Sequence, residues 1–181
     1  MNKKFLKILV VIFILFIFCF LYNAREIYGN NRDLIISSIK KSKLIDDKNS
    51  IKITDIIDIE DARFIGFFCD NSKIGVITFL KNHEGNYEKV DMDIKNGTIM
   101  EEFVIRYGND INKYKYVVVS NGDKLSRIDL TINNKYTESK YIPINKYSIN
   151  IFSMNLPEGD LKSINLESNF FDSSGNIIFA Q

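Results

Sequence analysis

His83 is the sole histidine among 181 residues, so any imidazole acid–base chemistry would rest on that one side chain. It stands in Asn82-His83-Glu84-Gly85-Asn86, a composition that suits a solvated turn. A Ser-His-Asp or Cys-His arrangement also needs a nucleophile in a recognisable setting, and no G-x-S-x-G occurs. The nine glycines are scattered and form neither G-x-G-x-x-G nor a P-loop. Cys69 closes the apolar stretch Phe64-Ile65-Gly66-Phe67-Phe68, which marks it as a small buried hydrophobe; thiolate chemistry needs a polar setting.

Carboxylates are more numerous. Asp55, Asp58, Glu60, Asp61, Asp91, Asp93, Glu101 and Glu102 offer many pairs, but a hydrolase of this type needs a set separation across a cleft. Alternation with apolar residues reads first as the wet face of a sheet. Asp91-Met92-Asp93-Ile94-Lys95-Asn96-Gly97, with Glu102, has part of a calcium loop. Counting Asp91 as position one puts Lys95 at a ligand position and Gly97 one residue late, so a strand face and an Asn-Gly hairpin account better for these residues. Tyr107, Tyr114, Tyr116, Tyr136, Tyr141 and Tyr147 could stack on a sugar or peptide, though tyrosine is also an ordinary strand former. No catalytic, cofactor-binding or metal-ligating residue is assigned.

The elements that would position these residues follow from periodicity. Asn31 to Asp47 lacks Gly and Pro and carries Ile35, Ile36 and Ile39 on one side, which predicts an amphipathic helix over about 32–46 with Asn31 as N-cap. From Ser50 the period becomes two: Ile51, Ile53, Ile57 and Ile59 share a parity, with a bulge near Asp55. Arg63–Cys69 suits a central strand, followed by strands at Ile74–Leu80, Tyr87–Ile94, Thr98–Tyr107, Tyr114–Ser120 and Ser126–Ile132. Further strands are expected at Lys140–Ile144, Tyr147–Met154, Leu161–Phe171 and Asn176–Ala180. Asn96-Gly97 is the strongest hairpin signal, Asn121-Gly122-Asp123 marks another turn, and Gly108-Asn109-Asp110 breaks the pattern. The expectation is a mainly β protein: antiparallel sheets, sandwich-like or in two small stacked units.

Ile8 to Tyr22 is wholly apolar or aromatic, and Phe5 and Leu6 extend the run across Lys7. The 18 residues from 5 to 22, at about 1.5 Å each, span roughly 27 Å, enough for a thin bilayer core. Lys3, Lys4 and Lys7 precede the run and only Arg25 closely follows it, which puts the N-terminus in the cytoplasm and the rest outside. Tyr22 is bulky where cleavage before Arg25 would want a small residue, and Phe18 precedes Cys19 where lipoprotein processing would want a small one, so an uncleaved signal anchor is expected. The chain beyond the run carries 21 of the 24 basic residues and all 23 acidic ones, a net −2. Such a balance offers no basic surplus for neutralising phosphates, which excludes nucleic-acid binding of that kind. Cys69 is the one outer thiol and has no partner for an intramolecular disulfide.

The order of a lysine-led apolar anchor, a short helix and a β-rich outer part resembles small uncharacterised membrane-anchored exported proteins of low-GC Gram-positive bacteria. Phe64-Ile65-Gly66-Phe67-Phe68, Ile74-Gly75-Val76-Ile77-Thr78-Phe79 and Asp172-Ser173-Ser174-Gly175-Asn176 carry that likeness. The resemblance implies a cell-surface setting and brings no catalytic residues. The expected organisation is a cytoplasmic tip and transmembrane anchor over 1–23, a linking helix over 24–49, and an extracytoplasmic β-domain over 50–181 that folds alone, with a subdivision near 108–113. Its expected role is noncatalytic binding of a protein or envelope component by a chain held in the bilayer through its N-terminal helix. The alternatives are a surface hydrolase using paired carboxylates, or a structural or sensory subunit of a membrane complex.

Overall fold

The structure, a computed structural model, describes residues 12–14, 16, 28–108, 113–154 and 164–180. The apolar run over 5–22 lies outside the described residues except for 12–14 and 16, which are helical. Among the described residues no helix is long and apolar enough to cross a membrane.

Helix α1 (Arg32–Lys40) precedes β1 (Lys52–Ile59), β2 (Ala62–Cys69), β3 (Lys73–Lys81), β4 (Tyr87–Asn96) and β5 (Met100–Arg106). The chain continues through β6 (Tyr114–Ser120), β7 (Arg127–Ile132), β8 (Tyr136–Tyr141), β9 (Ser148–Met154), β10 (Leu166–Phe171) and β11 (Ile177–Ala180). The protein is mainly β, and every strand pairing is antiparallel. Three sheets form, in the orders β1-β2-β3-β4, β5-β6-β9 and β11-β10-β7-β8. The expected bulge near Asp55 is present as a register shift between Ile53 and Ile56.

Strand parity explains the stacking. In β2, Ala62 and Phe64 face one way, into a core with Ile74, Val76, Phe103, Val117 and Val119 of the first and second sheets. Ile65, Phe67 and Cys69 face the other way, onto Ile35, Ile39 and Ile45. In β6, Val117 and Val119 turn to the first sheet, whereas Tyr116 and Val118 turn to Ile128, Leu130 and Phe170 of the third. The layers therefore run helix, first sheet, second sheet, third sheet. The second is buried on both faces, which is why Tyr114–Ser120 reads as a nearly continuous apolar run.

Four expectations change. The helix begins as predicted, with the Asn31 side chain accepting from Leu34 N at 3.0 Å, but it ends at Lys40 instead of 46. The chain turns there so that Ile45 can enter the same core, and the Asp70 carboxylate then accepts from the backbone N–H groups of Asp46 and Asp47 at 3.0 and 2.7 Å. Asn96-Gly97 is no hairpin: β4 pairs with β3 and β5 with β6, so the dipeptide carries the chain from the first sheet to the second. The break at 108–113 joins β5 and β6, which pair over their whole lengths, so it lies within one sheet. A strand expected at Lys140–Ile144 runs instead over Tyr136–Tyr141, because Asn133 and Asn134 adopt left-handed φ of 53° and 54° and turn the chain earlier.

The stretch before α1 is stapled to one end of the first sheet. Gly29 N donates to Tyr87 O at 2.7 Å, and Tyr87 N donates to Asn30 Oδ1 at 2.8 Å. Arg63 donates through Nη1 to the carbonyl of Gly29 at 2.8 Å, grips Asp58 with two 2.7 Å bonds, and lies 3.8 Å over the Tyr87 ring. A Cβ on residue 29 would sit 2.6 Å from the Phe79 ring, so only glycine fits this approach. The Arg63 guanidinium holds the Asp58 carboxyl below its ordinary value of 3.8. With the native pKa depressed, the pair's contribution is complete above that ordinary value and is lost as pH falls through the native one. Melting temperature is expected to fall with acidification in that window, and less steeply in Asp58→Asn; an identical slope in the variant would remove the pair as a cause.

Candidate functional site

The residues singled out by type do not converge. His83 has a side chain 90% exposed, with Glu84 at 3.9 Å. Cys69 is buried, and desolvation, with Asp70 adding to it, pushes its thiol up to about 11, far from a reactive thiolate. Asp55 pairs with Lys146 at 2.6 Å, Asp58 with Arg63, and Glu60 with Lys113 at 2.7 Å. Asp91 and Asp93 lie along β4, and among the described residues no three His, Cys, Asp or Glu side chains are placed to hold a metal ion. The tyrosines scatter as well: Tyr107 and Tyr116 are in the core, Tyr147 packs edge-on against Phe68, and Tyr136 and Tyr141 lie on β8.

Glu101 and Glu102 do border one cavity, of about 310 Å³, together with Lys95, Ile99, Met100 and Phe179. Glu102 Oε2 accepts from the buried Tyr116 hydroxyl and from Ser168 Oγ, the latter at 3.1 Å. Burial and this acceptor raise the Tyr116 phenol, so it stays a donor at every ordinary pH. Glu101 is raised by desolvation. The Lys95 ammonium spans the cavity's edge and donates to the Glu102 backbone carbonyl at 2.6 Å. The bond from Ser168 ties the second sheet to the third and that from Tyr116 braces β6 against β5, a structural use of this carboxylate.

The outer face of the third sheet is different. It is the one sheet face that no described element covers. Register places Tyr141, Arg127, Phe171 and Ile177 side by side across β8, β7, β10 and β11. Arg127 lies 3.9 Å over the Phe171 ring, with Asp129 3.1 Å from its Nε. Tyr141 is 81% and Ile177 59% exposed, so the row ends in apolar surface at both edges. The neighbouring row is polar, with Asp129 between Ser139 and Asn169. Thr131 and Thr137 bond through their hydroxyls at 3.0 Å one row further on.

Sequence reasoning named Tyr141 but missed Arg127, Phe171 and Ile177. Alternation of Arg127, Asp129 and Thr131 with Ile128, Leu130 and Ile132 does show which way the arginine points. What it stands beside depends on β7 pairing with β10, roughly forty residues away, which no local pattern records.

Comparison with protein-family models, with curated proteins and with solved structures finds no match for this chain. The surface geometry therefore carries the functional reading by itself.

Proposed function

We propose that this chain is a membrane-tethered, extracytoplasmic β-domain that binds a protein or envelope component without catalysing a reaction. The single observation behind it is the uncovered third-sheet face with its Tyr141–Arg127–Phe171–Ile177 row. Tyr and Arg are the residue types that dominate binding energy at protein interfaces, and an Arg already stacked on an aromatic ring loses little freedom on binding. Exposed apolar edges next to a polar row match the anatomy of a non-obligate interface. The tether rests on the apolar run from Phe5 to Tyr22 and on its flanking lysines, which place the N-terminus in the cytoplasm and the sheets outside in a single pass.

The test compares wild type with the double variant Tyr141→Ala/Ile177→Ala after crosslinking on intact cells. Both side chains are exposed, so stability should change by less than about 0.5 kcal/mol. At equal abundance, recovery of the crosslinked partner is expected to fall at least five-fold, whereas Tyr136→Ala, on the same strand with opposite parity, keeps it. Unchanged recovery in the double variant would remove this face as the binding surface.

A further inference from the structure

The staple at Gly29 limits how the sheets can stand over a bilayer. Only residues 23–28 separate Tyr22, the last of the apolar run, from Gly29, so fully extended chain reaches at most about 25 Å. Gly29 and Arg63 mark one end of the first sheet, together with the β1–β2 turn and the β3–β4 turn that holds His83 and Glu84. The opposite end carries Asp70–Lys73, Gly97 and Asn121–Asp123. The ten residues of β4 join the two ends over roughly 30 Å.

The first and second sheets are aligned along this axis. Lys113 meets Glu60 at 2.7 Å at the stapled end, and Tyr147 meets Phe68 with ring centroids 4.7 Å apart at the other. Inversion, with the far end on the lipid, would lift Gly29 about 30 Å, beyond the reach of the tether. Laying the third sheet on the lipid takes up nearly the whole reach. Gly29 touches Phe79 on the helix side of the first sheet, and two sheet spacings of about 10 Å each, plus the outermost side chains, separate that level from the third sheet's outer surface. The tether would have to be pulled straight.

We infer that the domain stands upright on the bilayer, with the β1–β2 and β3–β4 turns next to the lipid and the third-sheet face turned along the membrane plane, toward a protein held at the same surface. This rests on the tethered reading above. Layers stack at right angles to their strands, so an upright strand axis points the Tyr141–Arg127–Phe171–Ile177 row sideways. A lateral neighbour meets that row directly, while lipid headgroups do not.

The experiment uses the full chain in liposomes of a neutral and an anionic phospholipid, with Cys19→Ser and the buried Cys69 retained. Single cysteines are placed at exposed Glu84, Asp123 and Ser139 and carry a fluorophore. A nitroxide attached to lipid headgroups is expected to quench the label at 84 at least three-fold more than those at 123 and 139. Equal quenching at 84 and 123 would mean that the domain lies on its side, and stronger quenching at 139 would put the binding face on lipid; either overturns the upright placement. Release of the chain from liposomes by alkaline carbonate would instead refute the tether, and that readout does not depend on the labels.

Discussion

A chain cut at residue 50 is expected to lose cooperative folding that a chain beginning at residue 28 retains. Ile35 and Ile39 are fully buried and Ile45 nearly so, against Ile65, Phe67, Ile77 and Phe79 of the first sheet. Burial of each isoleucine contributes about 1.5–3 kcal/mol, so the three together approach the 5–15 kcal/mol that holds a whole domain folded. Removing them also bares two phenylalanines that are otherwise out of water. The segment expected from periodicity to link anchor and domain is thus a layer of the domain. Calorimetry of 28–181 should show one transition, and 50–181 should melt broadly and bind a hydrophobic dye. Ile39→Ala in the longer chain is expected to cost about 2–5 kcal/mol. Melting temperatures within about 3 °C for the two chains would show that the helix only rests on the sheet.

Val118→Asp should abolish folding, while Val104→Asp, in the paired neighbouring strand, should be tolerated. Val118 is fully buried between the second and third sheets, and Val104 is 54% exposed. The residues on either side of Val118 are buried toward the first sheet, so a carboxylate there cannot escape by turning over the strand. A charge buried without a partner costs several kcal/mol and drives either protonation or unfolding. The Tyr116 hydroxyl on the same face of β6 is already committed to Glu102, the residue opposite Val118 in register. Circular dichroism of purified variants should show native β signal for Val104→Asp only. A folded Val118→Asp at neutral pH would mean that the third sheet is readily detached from the second.

Local structure was largely legible. Alternation located most of the strands, Asn31 announced its cap, and the irregular spacing of Ile53 and Ile57 announced the bulge. Asn96-Gly97 misled for a physical reason: a local turn signal does not record sheet stacking, and β5, instead of adding to the free edge of β4, lays Phe103 and Ile105 onto the first sheet. Its partner there is β6, with apolar side chains to bury on both sides. Gly122 followed the same logic, with φ of +76° and a Cβ position 2.6 Å from Lys146 N, at a crossing between the second and third sheets.

What the sequence by itself determined is period and polarity: an apolar run of membrane length and strands with a wet and a dry side. Those properties follow from neighbours along the chain, because side chains alternate every residue whatever lies beyond them. Tertiary structure alone decided that the dry sides belong to three sheets and a helix, that Glu102 bonds to Tyr116 and Ser168, and that Arg127 stacks on Phe171. Each depends on which strands pair across long separations. Side chains 44 residues apart, as Arg127 and Phe171 are, meet only after the cores between the layers have chosen the register.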